Sequence, residues 1–138
     1  MNFKIEGGDF TKAGVASSEV KKVLKQLNLE PSLIKKVAVS MYEAEVNIVA
    51  HAFHGTMNVC IDTERVKLEF VDEGPGIPDV DQAMQEGYST ATEEVRQMGF
   101  GAGMGLPNIK KNSDKLNIKS IVGKGTTVEI INYIHQEL

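Results

Sequence analysis

One segment, Ser32 to about Ala52, constrains this chain more than any other. Leu33, Ile34, Val37, Ala38, Met41, Ile48 and Ala52 recur there at helical spacing. Pro31 precedes them, in the first turn, where a missing N–H costs nothing. Ala44, Val46, Val49 and Ala50 make the pattern apolar almost all round, which is the signature of a helix buried on most sides. What packing leaves over is Glu43, Asn47 and His51, spaced i, i+4, i+8 and projecting as one row. On an arbitrary helix such a row is a solvated stripe. On a buried one, a carboxylate and a carboxamide need partners, and a bound metal ion or water would supply them.

Around this helix the chain reads as short alternating segments. Asn2–Glu6 is a strand ended by Gly7-Gly8. A helix capped by Asp9 or Thr11 runs to about Leu27, with Val20, Val23, Leu24 and Leu27 inward. Met57–Ile61 and Val66–Val71 form a hairpin across residues 62–65. Asp79–Glu86 is a short acidic helix, and Gly87–Gly105 a long loop without period, of the kind that is more often functional than accidental. Leu106–Lys115 is a helix. Leu116–Val122 and Thr126–Ile134 form a last hairpin across Gly123-Lys124-Gly125. This order predicts an α+β, two-layer α/β sandwich, with helices on one face of a mixed, mostly antiparallel sheet. Length predicts a single domain over residues 1–138.

Three further motifs carry chemistry. Asp72-Glu73-Gly74-Pro75-Gly76-Ile77 follows a strand directly. It sets a carboxylate, which accepts hydrogen bonds only, beside a backbone that a flat ligand bearing an exocyclic amine can approach. By itself this pattern is a tight turn. Gly99-Phe100-Gly101-Ala102-Gly103-Met104-Gly105-Leu106 precedes a helix, where freed N–H groups suit phosphates. It is neither a dinucleotide fingerprint, since the charged Glu93–Met98 before it is unlike a strand, nor a P-loop, nor part of a protein-kinase signature set. A flexible lid and a plain loop both remain open. Gly123-Lys124-Gly125-Thr126-Thr127 is a hairpin turn unless a ligand lies beside it, in which case a hydroxyl there meets the same base edge as Asp72.

Composition closes off several classes. No apolar run approaches the roughly 20 residues that span a bilayer, and the N-terminus lacks the features of an export signal. The single cysteine, Cys60, forms no internal disulfide and sits in an alternating segment, which predicts a core position and a reducing, cytoplasmic setting. His51 and His54 as an H-x-x-H pair make half a metal site at most. Net charge is −4, with seven acids against one base between Asp72 and Met98. There is no basic stripe and no tryptophan, so nucleic acid is not the expected partner.

In order along the chain, Glu43-x-x-x-Asn47, Asp72-x-Gly74-x-Gly76, Gly101-x-Gly103-x-Gly105-Leu106 and Gly125-Thr126 resemble the N, G1, G2 and G3 boxes of the GHKL ATPases. The resemblance covers the chain from Pro31 onward. It implies the Bergerat-type fold and bound ATP and Mg²⁺. By position, Glu43 polarises a water or the acceptor hydroxyl and Asn47 coordinates Mg²⁺. Asp72 takes the adenine amine, while Gly74, Gly76 and Ile77 shape the base pocket. Gly101, Gly103 and Gly105 with Leu106 close over the phosphates, and Thr126 supports Asp72. No phosphoacceptor-histidine helix pair or transducer domain is recognisable, so the chain is most similar to the stand-alone anti-sigma factors and serine kinases of bacterial partner switching.

That similarity implies a serine/threonine protein kinase acting on a small antagonist protein, with a sigma factor as a second possible partner and a homodimer as a possible state. Two other readings stay open on the residues: a non-catalytic, nucleotide-dependent switch protein, and a stand-alone ATPase or accessory domain.

Overall fold

The computed structural model describes residues 1–85 and 105–134. Strand β1 (Asn2–Glu6) leads through a 3₁₀ turn (Phe10–Lys12) into helices α1 (Val15–Gln26) and α2 (Pro31–His51). Strands β2 (His54–Ile61) and β3 (Arg65–Glu73) form the first hairpin; α3 (Val80–Ala83) and α4 (Gly105–Lys111) precede the second, β4 (Lys115–Ile121) and β5 (Gly125–Tyr133). The strands form one sheet in the order β1-β2-β3-β5-β4.

Every pairing in that sheet is antiparallel, so it is less mixed than the sequence suggests. Two pairs are tight hairpins. The two-helix connection returns β2 antiparallel to β1, and β5 enters between β3 and β4. β3 and β4, on either side of β5, run parallel to each other without pairing, and the chain crosses from one to the other through the short helices.

One face of the sheet meets the helices. Met57 and Val59 of β2, Val66, Leu68 and Phe70 of β3, and Val128 and Ile130 of β5 all point inward and are buried. They meet Val20 and Leu24 of α1, Val37, Met41, Ala44 and Ile48 of α2, and Ile109 of α4. Fully burying each such side chain contributes about 1.5–3 kcal/mol. The period of 2 in the strands and of about 3.6 in the helices supplies the two matching apolar faces.

Two expectations need correction. Cys60 is exposed: the inward parity of β2 is set by Gly55, Met57 and Val59, which turns Cys60 to the solvent face. The first helix begins at Val15, later than Asp9 or Thr11. The Asp9 side chain accepts the Thr11 hydroxyl at 2.7 Å, and Gly14 (φ 90°) redirects the chain into α1. The cap comes from α2, where the Glu45 carboxylate accepts Gly14 N–H at 2.8 Å, Ser17 N–H at 2.9 Å and the Ser17 hydroxyl. Helix boundaries also shorten at the end of α4, where Asn112 returns its side chain to Asn108 O at 2.8 Å and buried Asn132 grips the next turn through Asn112 O and Asp114 N–H.

Among the described residues no helix is long and apolar enough to cross a membrane.

Candidate functional site

The row on α2 lies where three other elements converge. Gly105 opens α4 against it: a Cβ built on Gly105 would stand 3.1 Å from Asn47 Oδ1 and 3.3 Å from Glu43 Oε2. A side chain at position 105 would therefore press on both groups, which would have to give by a few tenths of an ångström. Leu106 and Ile109, both buried, hold α4 down on α2. Asn108, one turn into α4, donates to Glu43 Oε1 at 3.5 Å, a long contact. Among the described residues the Asn47 carboxamide has no hydrogen-bond partner; it is half-buried and has its donors and acceptor to offer.

Asp72 enters from the end of β3. In register it faces Gly55 on β2 and Thr126 on β5. Its Oδ1 accepts the Thr126 N–H at 3.1 Å. Burial raises its carboxyl above the usual value, and the Thr126 amide offsets part of that rise. The Thr126 hydroxyl lies 2.9 Å from Ser120 Oγ on β4. It is the backbone of Thr126, then, that holds Asp72.

The turn after Asp72 is fastened on both sides. Gly74 N–H donates to Lys124 O at 3.3 Å, Gly123 N–H to Pro75 O at 2.9 Å, and Ile77 N–H to Ser120 Oγ at 2.7 Å. Gly76 (φ 77°) takes a conformation that favours glycine, and a Cβ there would lie 2.6 Å from Ile121 O. At Gly74 a Cβ would lie 3.0 Å from Ala52 Cα and 3.3 Å from Asp72 Oδ1. These glycines let the end of α2, the Asp72 carboxylate and the second hairpin meet at one place.

Thus Glu43, Asn47, Gly105 and Leu106 lie at one contact, and Asp72, Gly74, Gly76, Ile77 and Thr126 at another, joined by the C-terminal turn of α2. Gly99, Gly101 and Gly103 lie outside the described residues. His51, the third member of the row, is partly buried, and desolvation lowers its pKa, which favours the neutral imidazole at neutral pH. His54 is directed elsewhere, to Glu73 on β3, with Nε2 2.9 Å from Oε2.

Sequence reasoning missed two residues. Glu45 lies on the same buried face as Met41 and Ile48, and a carboxylate at that position was itself a signal that donors come to it. Asn108 is a poor helix former inside a short helix, which was a weaker one.

Comparison with known proteins identifies the family and the fold. Residues 9–132 match the family model of the histidine kinase-like ATPase domain. The anti-sigma F factor of Caldanaerobacter subterraneus subsp. tengcongensis is 34% identical over 113 residues, covering 77% of this chain and 76% of that protein. The serine/threonine-protein kinase RsbT of Bacillus subtilis is 29% identical over 103 residues, covering 72% of this chain and 71% of that protein. In fold, the chain superposes on the mycobacterial sensor histidine kinase MprB with a TM-score of 0.56 at 16% identity, over 99% of this chain and 100% of that one. The chain belongs to the histidine kinase-like ATPase domain family, within the GHKL group that includes the partner-switching regulators.

Proposed function

We propose that this protein is an ATP-dependent serine/threonine kinase of a partner-switching pathway, acting in the cytoplasm on a small antagonist protein. The observation that carries the reading is the convergence of Glu43 and Asn47 on Gly105: an acid, a carboxamide unpartnered among the described residues and a bare backbone share one spot. The anti-sigma F factor and RsbT relatives support the acceptor class.

The residues present fit the nucleotide and its metal. At Asp72 one oxygen is held by Thr126 and the other is available to an exocyclic amine, beside glycine backbone that admits a flat ring. Asn47 Oδ1 is a hard oxygen ligand of the type Mg²⁺ takes alongside phosphates and water. When bound, Mg²⁺ neutralises charge on the phosphates. Gly105 would let backbone come close to that charge, Gly101 and Gly103 are assigned the same role by sequence alone, and Asn47 would hold the metal.

Glu43 orients the acceptor hydroxyl and takes its proton. The hydroxyl oxygen bonds to the γ-phosphorus, the bond from that phosphorus to the β–γ bridging oxygen breaks, and ADP leaves. Positioning and electrostatics do most of the work in such a transfer. Asn108 steadies Glu43 through Oε1.

Incubation with Mg-ATP and the protein that co-purifies with this chain tests the proposal. The expected result is a phosphoserine or phosphothreonine on that protein, absent with Glu43→Ala. Tight complex formation without phosphate transfer would leave a non-catalytic switch protein, and steady ATP hydrolysis without an acceptor would leave an ATPase; either overturns the kinase reading.

A further inference from the structure

At the β4 end of the sandwich the helical layer is thin. The inner face of β4 carries Leu116 and Ile118, and the short α3 with its C-cap residue offers them Val80 and Met84 at i, i+4. Between them lies a cleft of about 380 Å³, which Lys110, Ser113 and Asp114 also line. Its volume is within the range of binding pockets, about 300–1,000 Å³. All four apolar residues are only partly buried, so the cleft reaches solvent. None of the residues assigned to the nucleotide lines it.

Two observations say what this cleft takes. The Ser113 hydroxyl oxygen is buried and lacks a hydrogen-bond partner among the described residues, an omission that calls for a ligand or water. And β4 is an edge strand, paired on one side by β5. Its inward residues line the cleft, while its outward residues, Lys115, Asn117 and Lys119, are exposed. Residues 105–134 hold five lysines (Lys110, Lys111, Lys115, Lys119, Lys124) against two acids, Asp114 and Glu129. Both acids already have partners: Asp114 accepts Tyr133 N–H at 2.7 Å, and Glu129 accepts Asn117 at 3.1 Å and lies 3.5 Å from Lys67. The acids of α3 are directed off the cleft: Asp79 caps its own helix through Gln82 N–H at 3.0 Å, and Asp81 sits one residue off the Val80–Met84 stripe.

We propose that the β4 edge and this cleft are a docking site for an extended, acidic segment of the partner protein, which adds to the sheet as a strand alternating aliphatic and acidic residues. Its aliphatic side chains seat among Val80, Met84, Leu116 and Ile118. Its carboxylates meet Lys115 and Lys119 on the other face, and a main-chain carbonyl accepts from Ser113 Oγ. Main-chain bonding supplies affinity in such strand addition and the alternating pockets supply specificity. Lysines on an open edge repel a second copy of the same strand, which excludes pairing of β4 with itself and selects an acidic partner. The proposal rests on the protein-partner reading above. The position suits it: Lys110 lies five residues from Gly105, about 7–8 Å along α4, so a docked partner is held near the transfer site.

The test uses the isotopically labelled chain and the peptide acetyl-Glu-Leu-Glu-Leu-Glu-amide, followed by amide chemical shifts. Shifts are expected at Val80, Met84, Ser113 and 116–119, with affinity falling at least tenfold for Lys115→Glu combined with Lys119→Glu. ADP added to the complex should shift Asp72 and Thr126 without reversing the peptide shifts. Equal binding of acetyl-Lys-Leu-Lys-Leu-Lys-amide overturns the charge argument. Free leucine reproducing the same shifts would make this a small-molecule site, and displacement by ADP or no shift at all would remove the docking site. None of these readouts needs phosphate transfer, so failure here and failure of the kinase reading are distinguishable.

Discussion

Thr126 holds Asp72 across the β3–β5 ladder: the two are register partners, and the Thr126 amide donates to Asp72 Oδ1 at 3.1 Å. The bond fixes the carboxylate plane and leaves its second oxygen to accept from a ligand. Asp72→Asn keeps the shape but can place a donor where that acceptor is needed. A hydrogen bond to a charged group contributes roughly 1.5–3 kcal/mol, so ADP affinity should fall about tenfold to a hundredfold. Isothermal titration measures it, and unchanged affinity would exclude Asp72 from the base pocket.

The same carboxylate sets a pH dependence with two opposite signs. Burial raises the Asp72 pKa in the folded chain. The folded state therefore takes up this proton before the unfolded chain does, and the group's contribution to stability improves as pH falls through the raised value. Amine recognition needs the ionised acceptor, so ADP affinity moves the other way. It should begin to drop at a pH above the ordinary carboxylate value, and Asp72→Asn should lose that acid limb. A titration series against pH on both proteins decides it.

Gly105 separates stability from activity. Its φ is not in the left-handed region, and alanine is the better helix former by about 0.5–1 kcal/mol. Gly105→Ala should leave the melting temperature level or slightly raised. Yet the new Cβ, 3.1 Å from Asn47 Oδ1 and 3.3 Å from Glu43 Oε2, crowds the two groups proposed to hold metal and acceptor and shifts them by a few tenths of an ångström. Phosphate transfer should fall at least tenfold; a variant that melts normally and transfers normally would contradict the assignment.

Asn108 offers a test of Glu43 through its neighbour. With Asn108→Asp, a second carboxylate replaces the donor at Glu43 Oε1, and the two like charges repel at that separation. Glu43 should turn away from the acceptor, and phosphate transfer should fall at least tenfold. ADP affinity should change little, since Asp72 is untouched. Unchanged transfer would separate Asn108 from Glu43.

How much of this was legible in the sequence depends on how local each signal was. The α2 row and the Asp72 turn were readable because helical spacing and glycine placement are properties of neighbouring residues. The elements on either side of them, including the hairpins, follow from the same periodicity. Cys60 was misread because one residue of strand parity separates core from solvent, and Gly55, buried against Ile48 and Asp72, sets that parity without an apolar side chain. The start of α1 was misplaced because its cap lies 28 residues away, on Glu45. The zip between the Asp72 turn and the second hairpin, through Lys124 O and Ser120 Oγ, is likewise a tertiary fact.

Glu45 is the place where that long-range cap can be measured. It is 2% exposed and accepts from Gly14 N–H, Ser17 N–H and the Ser17 hydroxyl. Glu45→Ala strands those donors at the start of α1, and each buried unsatisfied donor costs about 1–3 kcal/mol. The fold should lose at least about 2 kcal/mol in denaturant unfolding. Glu45→Gln preserves volume and one acceptor but opposes an amide donor to an N–H, so it should fall between alanine and wild type. Glu45 touches neither Glu43 nor Asn47, although it shares their helix. At a temperature where Glu45→Gln is fully folded, ADP affinity should therefore remain close to wild type. Loss of nucleotide binding in the folded variant would mean that the α1 cap sets the rotation of α2, and with it the polar row.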